Sequence, residues 1–206
     1  MSLIKCPKNE ELELLLDSLT NLRAKLLFAF PVYMGLRVSE VVSIKVDSID
    51  FFNSILTLER QKNGDIGEQV PIPAQLMKMI AHYMDNEIRF KNKRKQGNPY
   101  LFPSCSSTGH MTTTAPRLYI HRLRKQGNLP FLNKYYKINP KGKQYNFSYH
   151  SLRHWYGSYA YKKTRDIYAV SKMLRHKSIN NTMIYMSHNI DEKREIADML
   201  WGSDAS

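Results

Sequence analysis

Two arginines, two histidines and a tyrosine have spacings that suit a site binding a phosphate. His150 and Arg153 are three residues apart, so on a helix the imidazole and the guanidinium share one face and can bind one phosphate. His176 stands nine residues before Tyr185, across a turn rich in serine and asparagine that can cap a new helix. Arg37 supplies a further arginine. The pattern predicts a phosphate-binding site.

Each of these residues taken singly has a plainer explanation. The spacing of His150 and Arg153 arises by chance on ordinary polar helix faces. Tyr185 is one of 13 tyrosines, and the apolar side chains around it at 183–186 are typical of a buried aromatic. The prediction therefore depends on the order and spacing of the whole set.

In its order of motifs the chain resembles the tyrosine recombinase, or phage integrase, family. The catalytic domain of that family carries a GLRxSE box, a lysine on a β-hairpin, an HxLRH motif, and LGH followed by a tyrosine. The resemblance extends from about residue 10 to about residue 189, across several separate boxes. The matching segments are Gly35-Leu-Arg37-Val-Ser-Glu40, His150-Ser-Leu-Arg153-His154, and Leu174-Arg175-His176 with Tyr185 nine residues later.

The resemblance implies a role for each matched residue. Arg37 and Arg153 correspond to the arginines that clamp the phosphate, and His150 and His176 to their active-site partners. Tyr185 corresponds to the nucleophile. Fixed arginines stabilise the negative charge that builds on the non-bridging oxygens during attack. A tyrosine with an ordinary pKa of about 10 needs a positive field or a base, for which His150 is the candidate.

Two further positions, Lys62 and Glu40, complete the implied site, and a third, Arg175, departs from the family pattern. Lys62 matches the hairpin lysine that protonates the leaving 5′-oxygen, with nearby Arg60 as the alternative. Glu40 is predicted to orient Arg37 through a charge-assisted hydrogen bond rather than to touch DNA. Arg175 stands where the family usually has a glycine, and it adds positive charge where the family has a tight backbone. The resemblance implies neither metal nor ATP, and no cofactor.

Helices are predicted to position the first arginine. Apolar residues recur at helical spacing from Glu10 to Tyr33, and the run pauses at 18–21, where a cap separates two helices. Gly35 is predicted to end the second helix, and a short third helix follows at 38–44. Arg37 then lies at the junction between the second and third helices.

The complete fold class is predicted to be α+β, mostly helical, with a small antiparallel β-hairpin sheet. Alternating apolar residues between Ile49 and Ile72 predict the hairpin, with its turn at 63–65. Residues 127–145 have no clear period and are predicted to be a long loop. Further helices are predicted at 74–90, 113–125, 152–163, 166–174, 181–186 and 191–201.

Composition favours a globular protein with a polyanionic partner. Of the 206 residues, 42% are hydrophobic and 24% are charged, as in ordinary globular domains. The formal net charge of +13 points to DNA, RNA or anionic lipid, with surface charge for solubility as the alternative. The strongest basic cluster runs from Lys91 to Lys95, and it is either a phosphate contact or a solvated face.

Two features bear on the compartment. Cys6 and Cys105 have neither metal-site nor disulfide-scaffold spacing, which favours a reducing cytoplasm and argues against structural zinc. The most apolar stretch, 26–36, is too short to span a bilayer, which needs roughly 20 apolar residues. The sequence therefore predicts a cytoplasmic protein.

The function implied by the resemblance is site-specific recombination of double-stranded DNA. A type IB topoisomerase uses a similar set of tyrosine, arginine, lysine and histidine, but the spacing of the boxes favours the recombinase. A DNA-binding module without catalytic activity is the alternative from a different class. Intact candidate residues argue against that module.

The resemblance also implies a domain organisation. Residues 1–206 are predicted to form one catalytic domain, with a helix and tail at 190–206, and the amino-terminal DNA-clamping domain of the family is expected to be absent. Such a domain is expected to bind DNA weakly alone. Family behaviour implies a tetramer on DNA and a monomer or loose dimer without it. The segment Asp191–Trp201 is predicted to dock on a neighbouring protomer or to pack on its own domain.

Overall fold

The computed structural model describes residues 6–58, 67–139, 142–145, 147–176 and 178–186. They divide into a first unit, up to residue 156, and a second unit, from residue 157. The prediction of a single domain over 1–206 stays a prediction. The elements are α1 (Asn9–Ser18), α2 (Leu22–Met34), α3 (Val38–Val42), β1 (Ile49–Asp50), β2 (Ile55–Leu58), β3 (Glu68–Pro71), α4 (Ala74–Asn86), α5 (Ile88–Lys95), α6 (Ala115–Gln126), β4 (Tyr135–Asn139), β5 (Gly142–Tyr145), α7 (Tyr149–Thr164) and α8 (Ile167–Met173).

The central helix of the first unit is α2, and its two ends form as the sequence predicts. The Asn21 side chain caps its start by accepting the Ala24 N–H at 3.0 Å. Gly35 ends it in the left-handed conformation (φ 61°), and the Gly35 N–H donates to the Pro31 carbonyl. Most α2 side chains are buried, and each large one stabilises the fold by roughly 1.5–3 kcal/mol.

The predicted hairpin is part of a three-stranded antiparallel sheet in the order β1-β2-β3. Leu56 pairs with Val70, as the alternating pattern requires, and Leu56 is fully buried. The two-residue strand β1 is an addition that the sequence did not indicate. The mostly helical α+β class with a small antiparallel sheet is therefore confirmed, while the turn at 63–65 lies outside the described residues.

The prediction of one helix over 74–90 was wrong, because the chain breaks at Glu87 and forms α4 and then α5. Glu87 has an extended backbone (φ −83°, ψ 104°), and its N–H donates to the Tyr83 carbonyl. The Asn86 side chain donates to the His82 carbonyl at 2.8 Å, so it satisfies one of the last carbonyls of α4. The basic cluster of Lys91 to Lys95 consequently lies in α5.

Two other predicted elements were also wrong. Residues 127–145 are not a long loop, because β4 and β5 pair as an antiparallel hairpin there. Pairing between the two strands satisfies their backbone groups even without an apolar alternation. Residues 181–186 form 3₁₀ turns, at Ile179–Asn181 and Met183–Met186, rather than an α-helix. The predicted helix at 191–201 lies outside the described residues.

No helix in the part of the chain that the structure describes is long and apolar enough to cross a bilayer. Cys6 is half-buried, Cys105 is exposed, and neither forms a disulfide.

Candidate active site

Arg37 is the N-cap residue of the short helix α3, and Glu40 of that helix holds it in place. The Glu40 carboxylate accepts the Arg37 backbone N–H at 2.6 Å with Oε2 and the guanidinium Nη1 at 2.9 Å with Oε1. One carboxylate thus caps α3 and orients the arginine side chain. The Arg37 side chain remains 40% exposed, so a ligand from solvent can reach it.

Arg153 lies on α7 and is almost completely buried, with 2% of its surface exposed. Its Nη1 donates a hydrogen bond to the Gly35 carbonyl and lies 4.0 Å from Glu40 Oε2. Glu40 therefore contacts both arginines, whereas the sequence predicted only its contact with Arg37. A buried guanidinium held at two points has little freedom to rotate, which suits it to hold an anion in fixed geometry.

His150 lies one turn before Arg153, in the first turn of α7. The Ser151 hydroxyl accepts the Ser148 N–H at 3.0 Å and caps this end of the helix, while the Tyr149 hydroxyl donates to the Leu27 carbonyl at 2.6 Å. These contacts fix the start of α7 on α2. The helix therefore presents the imidazole from a rigid position.

Burial and positive charge both act on the His150 imidazole. Burial, followed by the charges of Arg153 and then Arg37, lowers the pKa of His150 below its ordinary value. The imidazole is therefore neutral at pH 7 and can accept a proton. The His154 ring packs edge-on against it with the centroids 4.4 Å apart, although the sequence did not place His154 in the site.

In the second unit a buried threonine links His176 to Tyr185. The Thr182 hydroxyl lies 2.7 Å from His176 Nδ1, and the Thr182 carbonyl accepts the Tyr185 N–H at 3.0 Å. Thr182 is fully buried. A partner on Nδ1 fixes the imidazole orientation and leaves Nε2 as the other reactive nitrogen. Sequence reasoning missed Thr182, whose only signal is a position one helical turn before the tyrosine.

Arg175 adopts the backbone conformation that a glycine would take. Its φ of 54° lies in the left-handed region. The Arg175 N–H donates to the Lys172 carbonyl at 2.9 Å, and the His176 N–H donates to the Ser171 carbonyl at 3.1 Å. These two bonds form a Schellman motif that ends α8 and positions His176 directly after it. The tight backbone expected from the glycine pattern is thus present with an arginine.

Arg175→Gly is expected to stabilise the chain by about 1 kcal/mol, because glycine removes a left-handed strain of roughly 1–2 kcal/mol and part of that gain is lost in the unfolded state. Urea unfolding measures the change. The matched control is Lys172→Gly, in the last turn of α8, which is expected to cost up to about 1 kcal/mol because glycine is a poorer helix former than lysine. Loss of stability in both variants would show that the Arg175 backbone is not strained.

The structure thus brings the predicted residues together in two groups. Arg37, Glu40, His150 and Arg153 form a cluster in the first unit, and His176 and Tyr185 are linked through Thr182 in the second unit. Lys62 and its alternative Arg60 lie outside the described residues. Within the described ranges, no three histidine, cysteine, aspartate or glutamate side chains lie together as metal ligands would.

Comparison with known proteins gives the family. The family model described as "Phage integrase family" matches residues 7–192. Tyrosine recombinase XerA of Pyrococcus horikoshii is 26% identical over 194 residues, covering 94% of this chain and 60% of that protein. Tyrosine recombinase XerD of Rickettsia conorii is 33% identical over 158 residues, covering 73% of this chain and 47% of that protein.

Solved structures of the same fold are also similar to this chain. The crystal structure of XerA recombinase has a TM-score of 0.69 at 22% identity and covers 96% of this chain and 65% of that one. A pre-cleavage complex of the XerH site-specific recombinase with difH substrate has a TM-score of 0.67 at 22% identity and covers 98% of this chain and 55% of that one. The Tn1549 transposon integrase with transposon right end DNA has a TM-score of 0.70 at 14% identity and covers 98% of this chain and 68% of that one.

The fold and the ordered basic and tyrosine residues define the class of tyrosine recombinase catalytic domains. This chain belongs to the phage integrase family, the tyrosine recombinases. It spans about 60% of the length of the XerA relative from Pyrococcus horikoshii.

Proposed function

We propose that this chain cuts and rejoins double-stranded DNA at specific sites through a 3′-phosphotyrosine on Tyr185. The cluster in which Glu40 holds Arg37 and buried Arg153 beside neutral His150 carries the proposal. Two fixed guanidiniums stabilise the added charge of a phosphate under attack, and the neutral imidazole is a base. DNA in the XerH and Tn1549 integrase structures supports duplex DNA as the partner.

The proposed reaction conserves the phosphodiester energy. The Tyr185 Oη forms a bond to the phosphorus, its proton passes to His150, and the bond from the phosphorus to the 5′-oxygen breaks. The leaving 5′-oxygen takes a proton from Lys62, the residue proposed for this step from its match to the family pattern. A 5′-hydroxyl of the partner duplex then attacks the phosphotyrosine and releases Tyr185.

The proposed assembly follows from recombination between two duplexes. Each duplex is cut on both strands in turn, so four protomers act together on DNA, and the chain without DNA is a monomer or loose dimer. The net charge of +13 supports a phosphate-rich partner. The sequence has two cysteines, Cys6 and Cys105, whose spacing is not that of a disulfide scaffold, which supports a place in a reducing cytoplasm, at the nucleoid.

Capture of a covalent adduct tests this function. The chain is incubated with nicked suicide duplexes copied from the genomic junctions that flank its gene, because a nick near the cut releases the 5′ fragment and traps the phosphotyrosine. A labelled band that migrates with the protein under denaturing conditions supports the proposal. If none of the junction duplexes is captured, the proposed function is wrong.

The acid limb of adduct formation is expected to lie below pH 6.5, the ordinary pKa of a histidine. His150 accepts the proton only when it is neutral, and its lowered pKa keeps it neutral to a lower pH. The free energy of unfolding is also expected to decrease as the pH falls, because the unfolded chain binds a proton at His150 more readily than the folded chain. Single-turnover rates between pH 5 and 8 measure the limb.

His150→Gln is the comparison variant for this profile. Glutamine keeps a hydrogen-bonding side chain but accepts no proton, so it is expected to lower the rate by roughly 10²- to 10⁴-fold and to remove the acid limb. A wild-type limb at or above pH 6.5, or an unchanged limb in His150→Gln, would assign the base to another residue.

A further inference from the structure

Gly157 occupies a place in the interior of α7 where glycine is unfavourable. Glycine weakens a helix interior relative to alanine because it loses more conformational freedom on folding. Only a left-handed backbone would require glycine for conformational reasons, and the left-handed residues in this part of the chain are Arg165 and Arg175, not Gly157. The reason for glycine here must therefore be the space beside it.

The space beside Gly157 is filled by the ring of Tyr185. A Cβ added at Gly157 would lie 2.6 Å from Tyr185 Cζ and 2.7 Å from Tyr185 Cε2. It would also lie 3.0 Å from Leu174 Cδ1, and Leu174 is fully buried. The phenol ring thus rests directly on the backbone of α7, beside Leu174. We name this arrangement of Gly157 and Leu174 the tyrosine seat.

The shortest of these distances is to Tyr185 Cζ, the ring atom next to the reactive oxygen. Cζ is the ring carbon that carries the phenol oxygen. Its distance from the added methyl would have to grow by about 1 Å to reach an ordinary carbon–carbon contact of roughly 3.5–4.0 Å. Because the two shortest distances are to the Tyr185 ring and buried Leu174 leaves little room beside it, the added methyl displaces the ring tip.

The other end of Tyr185 is fixed independently. Its N–H donates to the Thr182 carbonyl at 3.0 Å, and Thr182 is itself fully buried and bonded to His176. The backbone of Tyr185 is therefore held by Thr182, while the ring tip is held by the seat. A change at Gly157 therefore moves the tip of the Tyr185 ring without breaking the hydrogen bond of the Tyr185 backbone to Thr182.

We propose that Gly157 is a positioning residue for Tyr185: its missing side chain forms the seat that sets the place of the phenol oxygen. This inference rests on the proposed role of Tyr185 as the nucleophile. It predicts that a single methyl group at 157 slows attack on the phosphate, since a misplacement of about 1 Å can lower a rate about 100-fold.

Gly157→Ala tests the seat in the whole chain with the junction suicide duplexes. At saturating DNA the rate of adduct formation is expected to fall by about 100-fold, and a fall of less than about tenfold would be too small for this role. The DNA concentration that gives half the maximal rate is expected to stay within about twofold of the wild-type value. Lys162→Ala, at an exposed position on the same helix, is the matched control and is expected to keep the wild-type rate at saturation.

A stability measurement examines the same contact without DNA. In a Tyr185→Ala background the ring is gone, so Gly157→Ala is expected to raise the melting temperature, as alanine does in a helix. With Tyr185 present the same substitution is expected to lower it or leave it unchanged. Equal shifts in both backgrounds would show that the ring does not rest on Gly157 and would overturn the inference.

The two proposals fail in different ways. If the wild-type chain forms no adduct, the proposed function is wrong and the positioning role falls with it. If the wild-type chain forms an adduct and Gly157→Ala does so at the same rate, only the positioning role is wrong. A faster rate in Gly157→Ala would mean that the seat restrains Tyr185, which also overturns the inference.

Discussion

Tyr185→Phe is expected to bind duplex DNA as tightly as the wild-type chain and to form no covalent adduct. Phenylalanine keeps the ring that rests on Gly157 and keeps the backbone bond to Thr182, so the local packing is preserved. It lacks only the oxygen that bonds to phosphorus, and without that oxygen the proposed reaction has no first step. Denaturing gels of labelled suicide duplex measure the adduct, and mobility shift measures binding.

Tyr168→Phe is the control for this substitution. Tyr168 also lies in the second unit, but it is 72% exposed, so loss of its hydroxyl is expected to leave the adduct rate unchanged. Peptide mapping of the wild-type adduct should place the nucleotide on Tyr185. An adduct that persists in Tyr185→Phe would assign the nucleophile to another of the 13 tyrosines.

Much of the fold could be predicted because the signals are local. The cap at Asn21 and the left-handed Gly35 each determine a helix end through bonds to residues three or four positions away. The residue types that form such short-range bonds can be recognised in the sequence. The junction that carries Arg37 was therefore predicted correctly, together with the α2 and α3 helices on either side of it.

Other elements depend on bonds that have no strong pattern. The β4 and β5 strands lie in a segment rich in polar and turn-forming residues, and their antiparallel pairing is a backbone property. At the break at Glu87, the Asn86 side chain donates to the carbonyl of His82 in the turn before it. Neither feature changes the apolar periodicity on which a sequence prediction relies.

The candidate site likewise has residues that the sequence could indicate and residues that it could not. Arginine, histidine and tyrosine were identified because their types and order indicate phosphate chemistry. Thr182 and Gly157 were missed because their contributions are tertiary: one is a buried hydroxyl 2.7 Å from His176, and the other is an absent side chain beside a ring. A sequence lists residue types, but it does not show which backbone a distant ring will approach.

Arg153 carries the second large expected effect because three of its features combine. It is 2% exposed, its Nη1 donates to the Gly35 carbonyl, and the same nitrogen lies 4.0 Å from Glu40. The guanidinium has five N–H donors in a planar fork, so it can keep these contacts and still bind a phosphate. A lysine ammonium has the same charge but offers its three donors from a single atom.

Arg153→Lys is therefore expected to lower the adduct rate at saturating suicide duplex by roughly 10²- to 10³-fold, the usual effect of removing one fixed transition-state donor. Binding of duplex DNA is expected to change much less, since the charge is kept and the loss arises during attack. Arg117→Lys, at an exposed position of α6, is the matched control and should keep the wild-type rate. If Arg153→Lys also keeps a rate within about threefold of wild type, charge alone suffices at this position, and the two-point orientation of the guanidinium has no part in catalysis.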